Sequence, residues 1–283
     1  MSSFKKEWQF KTVFFKFFII SLYNILFLVN SPYLSASEDY SPKFAAMDWS
    51  PFGWSDEQGS QGLFVEIFNL INEISGMKGT ITLMPPARIA HGLDHGLFDY
   101  AISYRDPSVF GDLHYLEDIG CFRNLVVSLD GRPVRKLADL HELRVAFSAE
   151  SPFSIKYAPL LESMNIHIKS FKVPKSETIF TMLIRGRVNA VVVNEALLFS
   201  HYDGSLYKKS EKTYSSQKFA TPLLLERVPI SLIESKLLKS HRYHKTLQQV
   251  ISGSEFRQGL KQLYKRYGLS SVTSCNPPAI EKQ

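Results

Sequence analysis

From Phe44 onward, short apolar runs alternate with longer stretches whose apolar residues recur three or four positions apart. That is the pattern of strands followed by amphipathic helices. Phe44 to Met47 reads as a strand and Asp48 to Gly59 as a loop. Leu63, Ile67, Leu70, Ile71 and Ile74 then keep helical spacing up to Gly76. Thr80 to Leu83 is β-like, Pro85 and Pro86 open a helix carrying Arg88, Ile89 and Leu93, and Tyr100 to Tyr104 is again apolar. Asn124 to Leu129 forms a further apolar run before the turn residues Asp130-Gly131-Arg132-Pro133.

The pattern then restarts. Strands are expected over Arg144–Phe147, Ile166–Phe171 and Ala190–Val193, with helices near Phe153–Met164 and over Glu177–Arg185. Tyr202 to Lys218 is polar and has no period, as in an exposed connection. Pro229 to Ile233 is apolar, and Phe256, Leu260, Leu263, Tyr264 and Tyr267 fall on one helical face ended by Gly268. One phrase occurs twice: Gly96-Leu97-Phe98-Asp99-Tyr100-Ala101-Ile102-Ser103 returns as Gly186-Arg187-Val188-Asn189-Ala190-Val191-Val192-Val193. In each copy a glycine stops a helix and an apolar strand follows, as suits the middle of a parallel sheet. Alternating β and α units make the fold class α/β. Two units of like design suggest two lobes with a cleft between them.

The first residues read differently. Lys5, Lys6, Lys11 and Lys16 precede an apolar run from Phe17 to Val29, and small residues follow at Ser35, Ala36 and Ser37. This is the order of a secretory signal peptide, assigned to residues 1–37; the alternative is an uncleaved membrane anchor. Removing that segment takes four Lys and one Glu from 33 basic and 27 acidic residues, leaving a formal +3 instead of +6. A balance so mild gives no reason to expect nucleic acid as a partner. Export would place Cys121 and Cys275 where disulfides form; they are either bridged, tying the tail to the first lobe, or two separate thiols.

Catalytic and metal motifs are scarce. His91 and His95 share a helix face, but HExxH and a third ligand are missing, so no metal is assigned. His241 and His244 lie in a basic segment that looks exposed. Neither G-x-S-x-G nor a glycine-rich phosphate loop occurs, and no cofactor or catalytic residue is assigned.

Three segments carry a resemblance. Trp49-Ser50-Pro51-Phe52, the Asp56-Glu57-Gln58-Gly59 turn and Gly62 opening a helix resemble the start of family 3 extracellular solute-binding proteins. Pro86-Ala87-Arg88-Ile89 with Gly96-x-x-Asp99-x-Ala101-Ile102 resembles the family's next element, and Val188-Asn189-Ala190-Val191-Val192-Val193-Asn194 its counterpart in the second lobe. The resemblance implies a type 2 periplasmic-binding fold: two lobes, each a mostly parallel sheet flanked by helices, joined by two hinge strands. Hinges near Asn124–Ser128 and Arg227–Ile230 would give lobe 1 as 38–125 plus 230–272, lobe 2 as 126–229 and a tail from 273 to 283. It further implies a monomeric periplasmic receptor that closes on a small solute for an ABC permease of the inner membrane or a sensor kinase. A dehydratase-like enzyme on the same scaffold, with Glu195 or Glu150 as acid or base, and an interaction module that binds no solute are the alternatives.

In such a receptor Trp49, Phe52 or Trp54 would pack on the ligand, unless they only fill lobe 1. Arg88, at a helix start, and Arg105 could each grip a carboxylate. Ser103, Tyr104 and Arg105 follow a strand to its carboxyl end, where α/β folds bind ligands. On the second lobe Ser148 and Ser151 precede a helix whose free N–H groups could hold an anion, although Ser151 also suits an ordinary cap. Two departures stand out. Family members that bind α-amino acids commonly carry Thr-x-x-Arg where this chain has Ser108-Val109-Phe110-Gly111, and Asp where it has Asn194, with Glu195 next to it. The expectation is therefore a polar solute other than a common α-amino acid, bearing an anionic group held between an aromatic and one Arg.

Overall fold

A computed structural model of the chain describes residues 41–106, 113–148, 153–174, 178–203, 219–237 and 241–269, together with Cys275. Residues 1–37, read above as a signal peptide, and Ser108–Gly111, Glu150 and Ser151 lie outside the described residues. In chain order the elements are β1 (Lys43–Met47), β2 (Trp54–Asp56), β3 (Gly59–Gln61), α1 (Leu63–Ser75), β4 (Thr80–Met84), α2 (Pro86–Asp94), β5 (Tyr100–Tyr104) and β6 (His114–Ser128). They continue with β7 (Arg144–Ser148), α3 (Phe153–Ser163), β8 (Lys169–Val173), α4 (Ile179–Ile184), β9 (Ala190–Asn194), α5 (Glu195–Asp203), β10 (Leu223–Glu234), α6 (His241–Ser252) and α7 (Ser254–Arg266).

Eight strands form one sheet in the order β4-β1-β5-β10-β6-β9-β7-β8. At one end β4, β1 and β5 run parallel; at the other so do β9, β7 and β8. Between them β6 and β10, 15 and 12 residues long, pair antiparallel along nearly their whole length. The two ends are built alike, each from a central strand, a helix, an outer strand, a second helix and an inner strand.

The repeated phrase sets that likeness. Gly96 and Gly186 take φ of 64° and 65°, a left-handed conformation that costs a side-chain-bearing residue most. In both copies the next amide closes a wide turn onto the helix, Leu97 N–H to Gly92 O at 2.8 Å and Arg187 N–H to Met182 O at 2.9 Å. The chain then docks on its central strand in the same way. Asp99 N–H donates to Lys43 O at 2.9 Å, and Asn189 N–H to Arg144 O at 2.7 Å.

The first end has one large core rich in aromatic rings. Phe44 stacks on Phe68 with centroids 4.4 Å apart, and Phe52 on Phe64 at 4.9 Å. Phe256, Leu260, Leu263 and Tyr264 of α7 join the same cluster. Burying each such side chain contributes about 1.5–3 kcal/mol. The second end has separate cores on its two sheet faces, one under α3 with Val126, Tyr157 and Val192, the other under α4 with Val127, Phe180 and Val191. Helix α5 links the two ends: Leu197 belongs to the second, Ala196 to the first, and Phe199 lies against Gly268 so closely that a Cβ there would be 2.0 Å from its ring. Cys121 in β6 is bonded to Cys275, with Cα atoms 5.4 Å apart.

Several local expectations shift. The loop after β1 contains the hairpin β2–β3, turned by Gly59 at φ 105°. The run at Asn124 is only the last third of β6, whose earlier half carries His114, Glu117 and Asp118 and hides its strand character in polar residues. The strand expected over Ile166–Phe171 is Lys169–Val173.

Candidate ligand cleft

Residues directly opposite each other on antiparallel strands share a face of the sheet. On β6 and β10, Phe122 faces Val228 and Asn124 faces Glu226. Because each pair is two residues from the next, all four share one side and form a floor. Trp49, just beyond β1, and Tyr104 and Asp106, at the end of β5, rise beside it, so a small pocket is lined by Trp49, Tyr104, Asp106, Phe122, Asn124 and Val228. Trp49 meets Tyr104 edge-on at 6.4 Å, and Tyr104 meets Phe122 at 6.3 Å and 88°. The carboxyl ends of β1 and β5 supply these walls, where open α/β sheets place ligands. In this conformation the pocket is closed and admits no water-sized sphere.

Its charge is acidic. Asp106 and Glu226 are 6% and 7% exposed. Asn124 Nδ2 donates to Glu226 Oε1 at 3.0 Å. Lys156, from α3, pairs its Nζ with Glu226 Oε2 and lies 3.7 Å from Asp106 Oδ2. Burial first, and then Asp106 and Glu226, push the Tyr104 phenol above its ordinary range. On α3, burial followed by Glu226 and Asp106 does the same to Tyr157. Asn194 continues the row, directly opposite Asn124 and therefore on its face. Its Oδ1 caps α5 by accepting from Leu197 N at 2.8 Å, while its Nδ2 is buried with no partner.

The residues singled out from sequence fall into three groups. Trp49 and Tyr104 line the pocket, and Asn194 lies in the row beside Asn124. Trp54 packs half-buried on the first core in the β2–β3 hairpin. Ser103 is buried on β5 with its hydroxyl 3.1 Å from Met47 Sδ, and Ser148 is buried at the end of β7.

The others lie outside the pocket lining. Phe52 has no exposed surface; it is held between Phe64 and Phe122 and belongs to the core. Arg105 is turned away from the pocket lining, its Nη2 2.9 Å from Asp118 and its guanidinium 4.6 Å above the Tyr115 ring. Arg88 is exposed on α2. Glu195 is buried but committed to Arg123, accepting from its backbone N at 2.9 Å and its Nε at 2.7 Å. Asp106, Asn124, Lys156 and Glu226 were missed. They come from four separate segments with no motif of their own, and only strand register brings them together.

His91 and His95, both exposed, have ring centroids 4.0 Å apart with the planes tilted by 37°, and no group of three or more metal-ligating side chains occurs among the described residues. His244, expected in an exposed segment, is partly buried against Glu234. With His114 it brackets the buried Glu234, at 2.7 and 3.1 Å, and so ties α6 to the end of β10.

Neither a protein-family model nor a curated protein sequence matches the chain. Solved structures do. An ancestral arginine-binding protein bound to arginine is 16% identical with TM-score 0.62, over 80% of this chain and 97% of that one. The GluR0 ligand-binding core in complex with L-glutamate is 11% identical with TM-score 0.63, over 81% and 98%. The periplasmic VFT2 domain of Bordetella pertussis BvgS is 14% identical with TM-score 0.59, over 80% and 93%. The fold is the two-lobed type 2 periplasmic-binding fold. In that fold β6 and β10 are the strands that pass between the lobes, and the pocket floor lies on them. No helix among the described residues is long and apolar enough to cross a membrane.

Proposed function

We propose that the chain is an exported solute-binding receptor, without catalytic activity, that closes its two lobes on a small polar molecule and presents it to a membrane partner. The observation that carries this is the aromatic-walled pocket on the two long strands, faced from the other lobe by Lys156 of α3. Its floor lies on the strands between the lobes, its walls come from the ends of β1 and β5, and Lys156 reaches over to Asp106 and Glu226 from the other lobe, as suits a hinge-closing binding site. Lobe boundaries near 125/126 and 229/230 go with this reading. So do a periplasmic location and a partner that is either an ABC permease or a sensor. The similar structures include receptors bound to arginine and to L-glutamate and a periplasmic domain of BvgS, which supports an amino acid-like size for the solute.

An enzyme on this scaffold draws no support from the pocket, because Glu195 is held by Arg123 and is not part of the lining. The expected Arg clamp for an anionic group draws none either, since Arg105 pairs with Asp118 and Arg88 is exposed. The test is a thermal-shift screen of protein unfolded and refolded to strip carried solute, over amines, amino acids, di- and tricarboxylates, sugars and short peptides. A binder at 100 times its Kd adds about 2.7 kcal/mol and raises the midpoint by several degrees. Silence across the library from demonstrably folded protein, or turnover of a hit, contradicts the proposal.

A further inference from the structure

We infer that β8, the last strand of the sheet, takes up an extended acidic segment of a partner protein as an additional strand. Strands β9 and β7 separate it from the pocket floor, so the inference stands whether or not the cleft binds a solute.

β8 pairs with one neighbour, β7, in parallel. Lys169 N–H donates to Leu143 O at 2.8 Å, so Lys169 and, two residues on, Phe171 turn their backbone groups toward β7. Ser170 and Lys172 alternate with them. Their N–H and C=O groups point outward, where no further strand lies among the described residues. Lys169, Ser170, Phe171 and Lys172 are all exposed, whereas the opposite edge strand, β4, is half-buried at Ile81, Leu83 and Met84.

Apolar surface flanks this edge on both faces. Val145 lies opposite Ser170 and Phe147 opposite Lys172, and both apolar residues belong to the core under α3. On that face β8 itself offers only polar side chains. A hollow of about 220 Å³ is left there, walled by Phe147, Leu161, Ile166 and Ile168, with Glu162 and His167 also in its lining. On the other face Phe171, opposite Ala146, is 41% exposed. A strand laid along β8 alternates its side chains between the two faces. Its residue opposite Ser170 falls at the hollow, its residue opposite Phe171 covers that ring, and the positions on either side meet Lys169 and Lys172.

Charge selects the occupant. Lys169 reaches Glu142 only at 3.9 Å, with both side chains well exposed, and such a pair holds its members loosely. The matching segment is therefore acidic, apolar, apolar, acidic over four residues, an order that reads the same in either strand direction. Opposite charges and apolar pairs facing each other across a ladder both favour pairing. A second copy of this chain fits less well. Two β8 edges would bring the Lys169 and Lys172 side chains of both copies together, the device by which sheets avoid joining edge to edge.

The experiment titrates the protein with a fluorescent peptide, Thr-Thr-Glu-Leu-Val-Glu-Thr-Thr, by anisotropy, and follows amide hydrogen exchange in the complex. Saturable binding is expected, about tenfold tighter than for the same peptide with Lys in place of both Glu. Lys169→Glu combined with Lys172→Glu should reverse that preference. The outward amides of Ser170 and Lys172 should exchange about tenfold more slowly or less in the complex. Ser170→Pro, which removes one outward donor and leaves the β7 ladder whole, should weaken binding about tenfold. No binding, equal binding of the two peptides by wild type, or unprotected Ser170 and Lys172 amides overturns the inference, and these readings need no variant to fold. Self-association that Ser170→Pro abolishes also overturns it, by making a second copy the occupant. None of these outcomes bears on the cleft, so each leaves the receptor reading as it stands.

Discussion

Asp99 and Lys43 hold each other twice. The backbone N–H of Asp99 donates to Lys43 O at 2.9 Å, and the Asp99 carboxylate accepts from Lys43 N–H at 2.7 Å. Asn189 and Arg144 repeat this in the second lobe, at 2.7 and 3.0 Å. The fourth residue of the repeated phrase is therefore Asp or Asn for one reason: it fastens the start of β5 or β9 to the start of the central strand. Asp99→Ala and Asn189→Ala should each destabilise by about 1–3 kcal/mol, because a strand-end N–H loses its acceptor. Asp99→Asn, which keeps an acceptor, should cost less. Chemical denaturation with unchanged m-values checks both; an alanine variant as stable as wild type contradicts the role.

The disulfide closes a loop of 154 residues between β6 and the tail. Cys275→Ala, which leaves the buried strand position intact, should lower stability by about 2–4 kcal/mol. For a chain of this size that is a fall in midpoint on the order of 5–15 °C. Melting oxidised wild type, reduced wild type and the variant together checks it, and the last two should coincide.

His201, on α5, stacks on Phe180 at 4.2 Å, and burial lowers its pKa below the usual value. A base whose folded pKa lies below its unfolded one binds fewer protons when folded. Its contribution is therefore complete above the unfolded value, about 6.5, and is lost as pH falls from there toward the folded value. His201→Phe should keep the stacking and flatten that part of the stability–pH curve. Denaturant titrations between pH 5 and 8 read this directly, and parallel curves for variant and wild type would remove His201 from the account.

The duplicated α/β design was legible because each half repeats the same local requirements. Gly at a positive-φ helix stop, Asp or Asn to fasten a strand and five apolar residues to fill a sheet all leave marks within a dozen positions. The pocket chemistry was not legible in that way. Glu226 and Asn124 are 102 residues apart and meet only through the register of β6 and β10. Lys156 looked like one more polar residue on a helix. Arg105 stood at the right strand end, but its direction depended on Asp118 and Tyr115, in a stretch of β6 too polar to read as a strand. Trp49 and Phe52 were equal candidates in sequence. Three residues of separation put one on the pocket wall and the other inside the aromatic core.

The central claim is that a solute is held on the floor formed by β6 and β10, and Asn124→Ala tests it most directly. The measurement is calorimetric affinity for whichever solute the thermal-shift screen yields, in wild type and variant, alongside the melting of each without solute. The account predicts binding weakened about tenfold or more, since the side chain both lines the pocket and orients Glu226, while the unliganded protein still melts cooperatively. Equal affinity in the two proteins would place the solute elsewhere and contradict it.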